Sequence, residues 1–214
     1  MNAYKVVRIV GLVYKETVRN LPSVVQICML RSGSWRDTEL VLPARILGHS
    51  WLNTYINETF NWLARDFGSG RINEIMILSF HMSDEVFETI KIPYFLREGH
   101  DVSLALWNGS FALIRSPFKR GGIRVPNTPT YFEIWAMNQS RLEEAWVKQV
   151  AVGPIAGVER PLAILGIDKL FLESSEGELI SCDLRTQEIR NYQIYGRIRS
   201  MQVGIYNESL ASVE

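Results

Sequence analysis

The stretch SFHMSDEVFETIKIP, residues 79–93, predicts a strand, a turn and a second strand. Apolar side chains alternate with polar ones up to Phe80, and the polar triplet 83–85 interrupts the alternation. The pattern restarts at Val86 and stops at Pro93. A period of two is typical of a half-buried strand, and a short polar interruption is typical of a tight turn. We therefore expect a β-hairpin, and the fold depends on how often this hairpin recurs.

Hairpins of this kind recur along the chain at a nearly constant interval. Three of them place two bulky or apolar residues seven positions apart: Cys28 and Trp35, Phe80 and Phe87, and Cys182 and Ile189. In the stretch YFEIWAMNQSRLEEAWVKQV (131–150), Trp135 and Trp146 are eleven apart, which indicates four extra residues in the turn. The first residues of the pairs, at positions 28, 80, 135 and 182, are separated by steps of 52, 55 and 47 residues.

A second, shorter hairpin recurs between these copies. The segments YINETFNWLA, LWNGSFALIR and IYNESLASV share an Asn, a turn-forming residue and an apolar run, with the asparagines at Asn57, Asn108 and Asn207. In the remaining copy, GIDKLFLES, the pair Asp168-Lys169 occupies the turn. Asn tolerates the positive φ that tight hairpin turns require. Each repeat therefore contains four predicted strands.

A period of roughly 40–50 residues with four strands is typical of a β-propeller blade. One blade cannot cover both of its apolar faces, so blades pack against each other, and Trp35, Phe87 and Trp146 are expected between them. The prediction is an all-β domain over residues 1–214, an incomplete β-propeller ring of about four antiparallel blades. Three further tryptophans are expected in the core: Trp51, Trp62 and Trp107. A β-sandwich with accidentally spaced hairpins is the alternative.

Seven motifs then follow in the order found in plant F-box proteins: YKVVRIV, LRSGSWR, ILSFHMSDEVFETIKIP, SLALWNGSFALI, FEIWAMN…AWVKQ, GPI…GVERPL and GELISCDLRTQEI. Over essentially its whole length, the chain resembles the F-box-associated, kelch-like domain of that family, which includes the S-locus F-box proteins. The family usually has Phe-Asp in the third motif, whereas here His81 follows Phe80, and Asp183 retains the carboxylate in the fourth unit. If that carboxylate caps a turn, His81 weakens one turn and leaves the fold intact.

The resemblance implies the substrate-recognition domain of an SCF-type (Skp1–cullin–F-box) E3 ubiquitin ligase, which binds a target protein for ubiquitination and degradation. No helical F-box precedes AYKVVRIV, so we expect a C-terminal part that lacks the F-box and the first blades. A Skp1-type adaptor and a cullin would then bind only through the missing F-box. The alternative is a truncated protein-interaction domain without ligase activity, which competes for substrate. An incomplete ring is also expected to self-associate through exposed strand edges.

The composition excludes several kinds of partner. Lys plus Arg and Asp plus Glu both number 23, so no overall field attracts nucleic acid or an anionic membrane. No apolar run approaches the roughly 18 residues of a membrane span, and no signal peptide is recognisable. Two cysteines without metal or redox spacing favour a reducing compartment, the cytoplasm or the nucleus.

Catalytic motifs are not recognisable in the sequence. The three histidines, His49, His81 and His100, do not have the spacing of a metal site. A kelch-like copper oxidase would need several histidines and tyrosines that converge on the metal. No nucleophile elbow or phosphate-binding glycine loop is present either. We therefore expect a non-catalytic domain without catalytic residues, metal or cofactor.

Two segments are candidates for binding a protein. The stretch SPFKRGGIRVPNTPT (116–130) is predicted to be an exposed loop, and its Lys119, Arg120 and Arg124 would contact an acidic partner. The stretch NQSRLEEA (138–145) carries the opposite charge, with Glu143 and Glu144. For the basic stretch, the alternative is a solvated linker between strands. The sequence does not identify the target.

Overall fold

The protein is described here by a computed structural model that covers residues 5–10, 24–30, 32–47, 54–66, 74–117, 128–138 and 145–204. In these ranges the chain forms four antiparallel sheets and one short helix. Strands that follow each other in sequence are neighbours in each sheet, apart from a divided strand in sheet 2. The predicted all-β fold of about four repeating units is therefore confirmed.

Sheets 1 and 2 are built from the first half of the chain. Sheet 1 contains β1 (Lys5–Val10), β2 (Val24–Met29) and β3 (Ser34–Asp37). Sheet 2 contains β4 (Arg45–Ile46), β5 (Thr54–Ile56), β6 (Thr59–Arg65), β7 (Ile75–His81) and β8 (Val86–Lys91). Both β4 and β5 pair with β6, so together they form the first strand of this sheet.

Sheets 3 and 4 have four strands each. Helix α1 (Tyr94–Arg97) precedes sheet 3, which contains β9 (His100–Trp107), β10 (Ser110–Pro117), β11 (Thr130–Asn138) and β12 (Ala145–Ile155). Sheet 4 contains β13 (Val158–Leu165), β14 (Lys169–Ser174), β15 (Glu178–Asp183) and β16 (Ile189–Tyr195). In the described part of the chain, these sheets do not close into a ring.

The hairpin pairs found in the sequence are confirmed in three sheets and wrong in one. Three pairs lie directly opposite each other across their strands: Cys28 and Trp35, Phe80 and Phe87, and Cys182 and Ile189. Trp135, however, pairs with Lys148, and Trp146 pairs with Met137. The register that starts with Asn138 opposite Ala145 places the two tryptophans two residues out of step, so they are not partners.

The short Asn hairpins are also confirmed where the structure describes them. Asn57 and Glu58 both have positive φ, 49° and 61°, and join β5 to β6. Asn108 and Gly109, with φ of 46° and 74°, join β9 to β10 in the same way. Two successive residues with positive φ match the twist of the flanking strands. Asn207 lies outside the described residues.

Apolar side chains between adjacent sheets form the core. One cluster joins sheets 2 and 3, with Leu63 and Ile77 on one side and Leu113 and Trp146 on the other. A second cluster joins sheet 3 to sheet 4. Because side chains alternate along a strand, each strand of sheet 3 contributes to both clusters. This is the packing expected of neighbouring blades.

The described aromatic residues that the sequence places between blades or in the core differ in their burial. Trp146 is 8% exposed between sheets 2 and 3, as predicted. Phe87 and Trp62 pack against a third cluster on the other face of sheet 2, and Trp107 packs against the cluster between sheets 3 and 4. The prediction for Trp35 is wrong. It is 44% exposed, and the Arg8 guanidinium lies 4.6 Å from its ring centroid. Trp51 lies outside the described residues.

The carboxylate of Asp183 caps the turn after β15, the role considered for it in the sequence analysis. The Asp183 side chain accepts hydrogen bonds of 2.9 Å from the backbone N–H groups of Arg185 and Thr186. These donors, chiefly that of Thr186, hold the pKa of Asp183 below its ordinary value. His81 instead contacts Glu88 at 3.0 Å. The turn after His81 still forms, because Glu85 adopts the positive φ that Gln187 adopts in sheet 4.

Candidate functional site: an aromatic patch at the loop-rich end

The connections between strands differ at the two ends of the sheets. At one end, which we call the loop-rich end, the connections 38–44, 66–74, 92–99 and 118–129 each occupy seven residues or more. At the other, short-turn end, no turn between successive paired strands exceeds six residues. Recognition commonly uses long loops that a rigid framework holds in place. The loop-rich end is therefore the first place to look for a binding site.

The predicted binding residues fall outside the described residues, but their attachment points are defined. Lys119, Arg120 and Arg124 belong to the connection between β10 and β11, which leaves the loop-rich end at Pro117. Glu143 and Glu144 belong to the connection between β11 and β12, which leaves the short-turn end. The length of β11 separates the two attachment points by roughly 25 Å. The basic and acidic segments thus start from opposite ends of sheet 3, which the sequence did not reveal.

The segment 92–99 fills the gap between sheets 2 and 3 at the loop-rich end. Pro93, with its restricted φ of −52°, precedes the single turn of α1. Leu96 is fully buried in the cluster between the two sheets. Because one helical turn cannot bury all of its side chains in one place, Tyr94 and Phe95 remain 59% and 52% exposed.

The two exposed aromatic rings of α1 are held in place by their neighbours. The Phe95 ring meets the Trp135 ring edge to face, with centroids 5.6 Å apart and an interplanar angle of 67°. The Arg97 guanidinium lies 5.1 Å from the Tyr94 ring centroid. The Tyr94 hydroxyl donates to the Glu98 carboxylate at 2.9 Å, and this bond raises the pKa of Tyr94. Ordered aromatic side chains lose little entropy when a partner binds.

A charged cluster supports Trp135 from sheet 3. The Glu133 carboxylate accepts hydrogen bonds from Lys148 Nζ at 2.6 Å, Arg115 Nη1 at 2.8 Å and Trp135 Nε1 at 3.1 Å. These donors, with Lys148 contributing most, lower the pKa of Glu133 to about 2. His100 contacts the Glu98 carbonyl oxygen through Nδ1 at 2.6 Å, which ties the start of β9 to the end of the α1 segment.

Tyr94 and Phe95 form an exposed surface that we call the aromatic patch. Tyr131 is 56% exposed and lies two residues before Glu133 on β11, on the same face of the strand. Trp135 lies beneath Phe95, and Arg97 lies beside Tyr94. Aromatic residues and Arg are enriched where proteins bind each other. This patch is the strongest candidate site in the described part of the chain.

Sequence reasoning did not find the aromatic patch. Pro93 was interpreted as the end of a strand, and the following Tyr-Phe-Leu-Arg resembles any short apolar run. Only the burial of Leu96 decides which side chains of the run stay exposed, and that burial depends on sheet 3. The position of the run in a long connection between two repeats was the available signal.

The described residues include both cysteines and residues of the other types that bind metal ions. Within them, no group of three or more His, Cys, Asp or Glu residues could hold a metal ion. Cys28 and Cys182 are free and buried, and burial raises the pKa of Cys182. Where the chain is described, no helix has the length and apolar character needed to cross a membrane.

Comparisons with known proteins agree with this architecture. No curated protein matches the chain. A family model described as the F-box associated beta propeller domain matches residues 1–195, which include all four sheets. Because the match covers most of the sequence, and the fold consists of antiparallel sheets in the expected order, the chain belongs to the family of F-box associated β-propeller domains.

Proposed function

We propose that this domain binds a target protein and, in an intact F-box protein, presents it for ubiquitination by a Skp1–cullin–F-box ligase. Membership of the F-box associated family supports this role. The observation that carries the proposal is the aromatic patch, because exposed rings on a rigid framework supply much of the binding energy of protein interfaces.

The contribution of the domain is to position the target. Other subunits carry out ubiquitin transfer, and the domain itself performs no covalent step. A target held close to the charged ubiquitin-conjugating enzyme reacts as if it were present at a much higher concentration. The domain therefore needs a stable surface that binds the target selectively.

The proposed setting is the cytoplasm or the nucleus. The only cysteines of the sequence, Cys28 and Cys182, are both free. Free cysteines suit a reducing compartment.

The proposal is tested in cells with three versions of this domain, each joined to an F-box: the natural sequence, Phe95→Ser and Ile167→Ser. Ile167 is 58% exposed at the short-turn end, so it matches Phe95 in exposure but lies away from the aromatic patch. A ubiquitinated polypeptide should co-purify with the natural protein and with Ile167→Ser, and should be lost with Phe95→Ser.

Two results would distinguish the alternatives. The same polypeptides with all three versions would remove the aromatic patch as the binding site. A partner that needs Phe95, but whose ubiquitination does not depend on the protein, would favour a protein-interaction domain without ligase activity. Circular dichroism should show the same fold for all three versions.

A further inference from the structure

Two arginines lie side by side on the face of sheet 2 that points toward sheet 3. Arg65, the last residue of β6, lies directly opposite Arg45 of β4 and Ile75 of β7. Because side chains alternate along a strand, Arg65 points to the same side as Leu63, which belongs to the cluster between sheets 2 and 3. Ile75 packs against the same cluster. The arginine pair, Arg45 and Arg65, therefore lies where the gap between the two sheets opens at the loop-rich end.

Arg65 has no counter-charge in the described part of the chain. It is half-buried, and its Nε is a buried donor without a hydrogen-bond partner among the described residues. Arg115 on the facing sheet also has a buried Nε without a partner, but its other two nitrogens bind Glu133 and His100. Burial of an unpaired charge costs stability, and like charges directly opposite each other on two strands add to the cost. An uncompensated group of this kind calls for an explanation, and a ligand of opposite charge provides one.

Acidic residues close by in the chain do not supply the missing charge. Asp66 and Glu74 form the next pair along β6 and β7, and strand alternation turns them toward the other face of sheet 2. The carboxylates of Glu98 and Glu133 accept hydrogen bonds from α1 and from sheet 3. The sequence contains no Asp or Glu in the connections 48–53, 67–73 and 118–127. An external anion is therefore the better candidate.

The arginine pair and the aromatic patch border the same gap. The segment 92–99 runs from β8, the outer strand of sheet 2, to β9, the first strand of sheet 3. Its Leu96 is buried in the cluster that Arg65 faces, whereas Phe95 lies against Trp135 of sheet 3. The width of one helix, about 10 Å, thus separates the two features. An extended segment covers this distance with roughly three residues.

We propose that Arg65, with Arg45 beside it, binds a carboxylate of the target protein, while the aromatic patch binds an apolar side chain of the same segment. This assignment rests on the proposed function and names the class of target: an Asp or Glu about three residues from an apolar residue. A guanidinium binds a carboxylate through two parallel hydrogen bonds. The bound carboxylate supplies the counter-charge that Arg65 lacks in the free protein.

The first test measures stability, because an unpaired charge and a paired one predict opposite signs. Arg65→Met keeps the long side chain and removes the charge, so the melting temperature of the full chain should stay the same or rise by roughly 1–3 °C. Arg160→Met is the matched control, since Arg160 Nε binds buried Glu173 at 2.6 Å. It should lower the melting temperature by roughly 6 °C or more. A comparable decrease for Arg65→Met would show that Arg65 already has a counter-charge and would overturn the proposal.

The second test uses acetate as a probe for the carboxylate. About 100 mM sodium acetate should raise the melting temperature of the natural full chain by roughly 2–4 °C relative to the same concentration of sodium chloride. The rise should disappear in Arg65→Met. It should persist in Arg36→Met, which removes an exposed arginine that pairs with Glu85 on the other side of sheet 2. No rise in the natural protein, or an equal rise in all three proteins, would contradict a carboxylate site at Arg65.

The third test uses the target and separates this proposal from the proposed function. In the cell experiment described above, Arg65→Met should reduce the recovery of the target by roughly tenfold, and Arg36→Met should not. If Phe95→Ser loses the target and Arg65→Met retains it, the proposed function stands and the carboxylate site is wrong. If neither substitution loses the target, the target binds elsewhere and both proposals are wrong.

Discussion

Glu133 offers a quantitative test of the structure beneath the aromatic patch. Substitution by Gln keeps the size of the side chain and its ability to accept a hydrogen bond from Trp135. It removes the charge that pairs with Arg115 and Lys148. We expect the free energy of unfolding to fall at neutral pH, because two cations near the patch lose their counter-charge.

The size of the effect follows from the pKa of Glu133. A change of one in pKa corresponds to about 1.4 kcal/mol, so a decrease from 4.5 to about 2 sets an upper limit of roughly 3 kcal/mol. The Glu133 side chain is 27% exposed and that of Lys148 is 42% exposed, so solvent screens part of the attraction. We expect a loss of about 1–2 kcal/mol at pH 7.

The pH dependence has a definite sign. The folded-state pKa of Glu133 lies below its ordinary value of 4.5. The carboxylate therefore stabilises the fold fully above the unfolded-state pKa, and this contribution is lost as the pH falls through the folded-state pKa. The difference in stability between the natural protein and Glu133→Gln should close between pH 4.5 and pH 2.

Urea unfolding, followed by circular dichroism at pH 7, 5 and 3, measures this difference. Glu176→Gln, in an exposed turn of sheet 4, serves as the control and should change stability by less than about 0.5 kcal/mol at every pH. A difference for Glu133→Gln that stays the same from pH 7 to pH 3 would refute the assigned role of the carboxylate.

Three further predictions concern other parts of the chain. Replacement of Lys119, Arg120 and Arg124 in the connection 118–129 by Glu should slow association with an acidic target and reduce its salt dependence, measured by stopped flow, with little change in stability. His81→Asp should supply the turn cap that Asp183 provides in sheet 4 and raise the melting temperature by roughly 1–3 °C; a decrease would contradict the equivalence of the two turns. Trp146→Ala should cost about 3–5 kcal/mol in urea unfolding, whereas Trp35→Ala should cost about 1 kcal/mol or less, and similar costs would contradict their different burial.

The repeating hairpins could be predicted because their signals are local. Two of the three Asn turns lie in the described chain, and both adopt positive φ. Cys28 and Phe80 pair with their predicted partners, since a short turn fixes the register of the strands that it joins.

The errors arose where neighbouring elements decide the outcome. The connection between β11 and β12 sets a register in which Trp135 lies opposite Lys148 and Trp146 lies opposite Met137, and the spacing of the two tryptophans in the sequence does not reveal that register. The exposure of Trp35 depends on what packs beside sheet 1, not on the hairpin itself. The aromatic patch lies in a connection between two sheets. The repeat pattern consists of the strands and hairpins, so it does not include this connection.

Hydrogen exchange in the presence of a bound target tests the central claim most directly. If the target binds the aromatic patch, backbone amides in 92–99 and 130–135 should exchange more slowly in the complex. Amides of the short-turn end, such as those in 57–58 and 108–109, should be unchanged. Protection of the short-turn end, with 92–99 unaffected, would contradict the account and place recognition on the opposite side of the propeller.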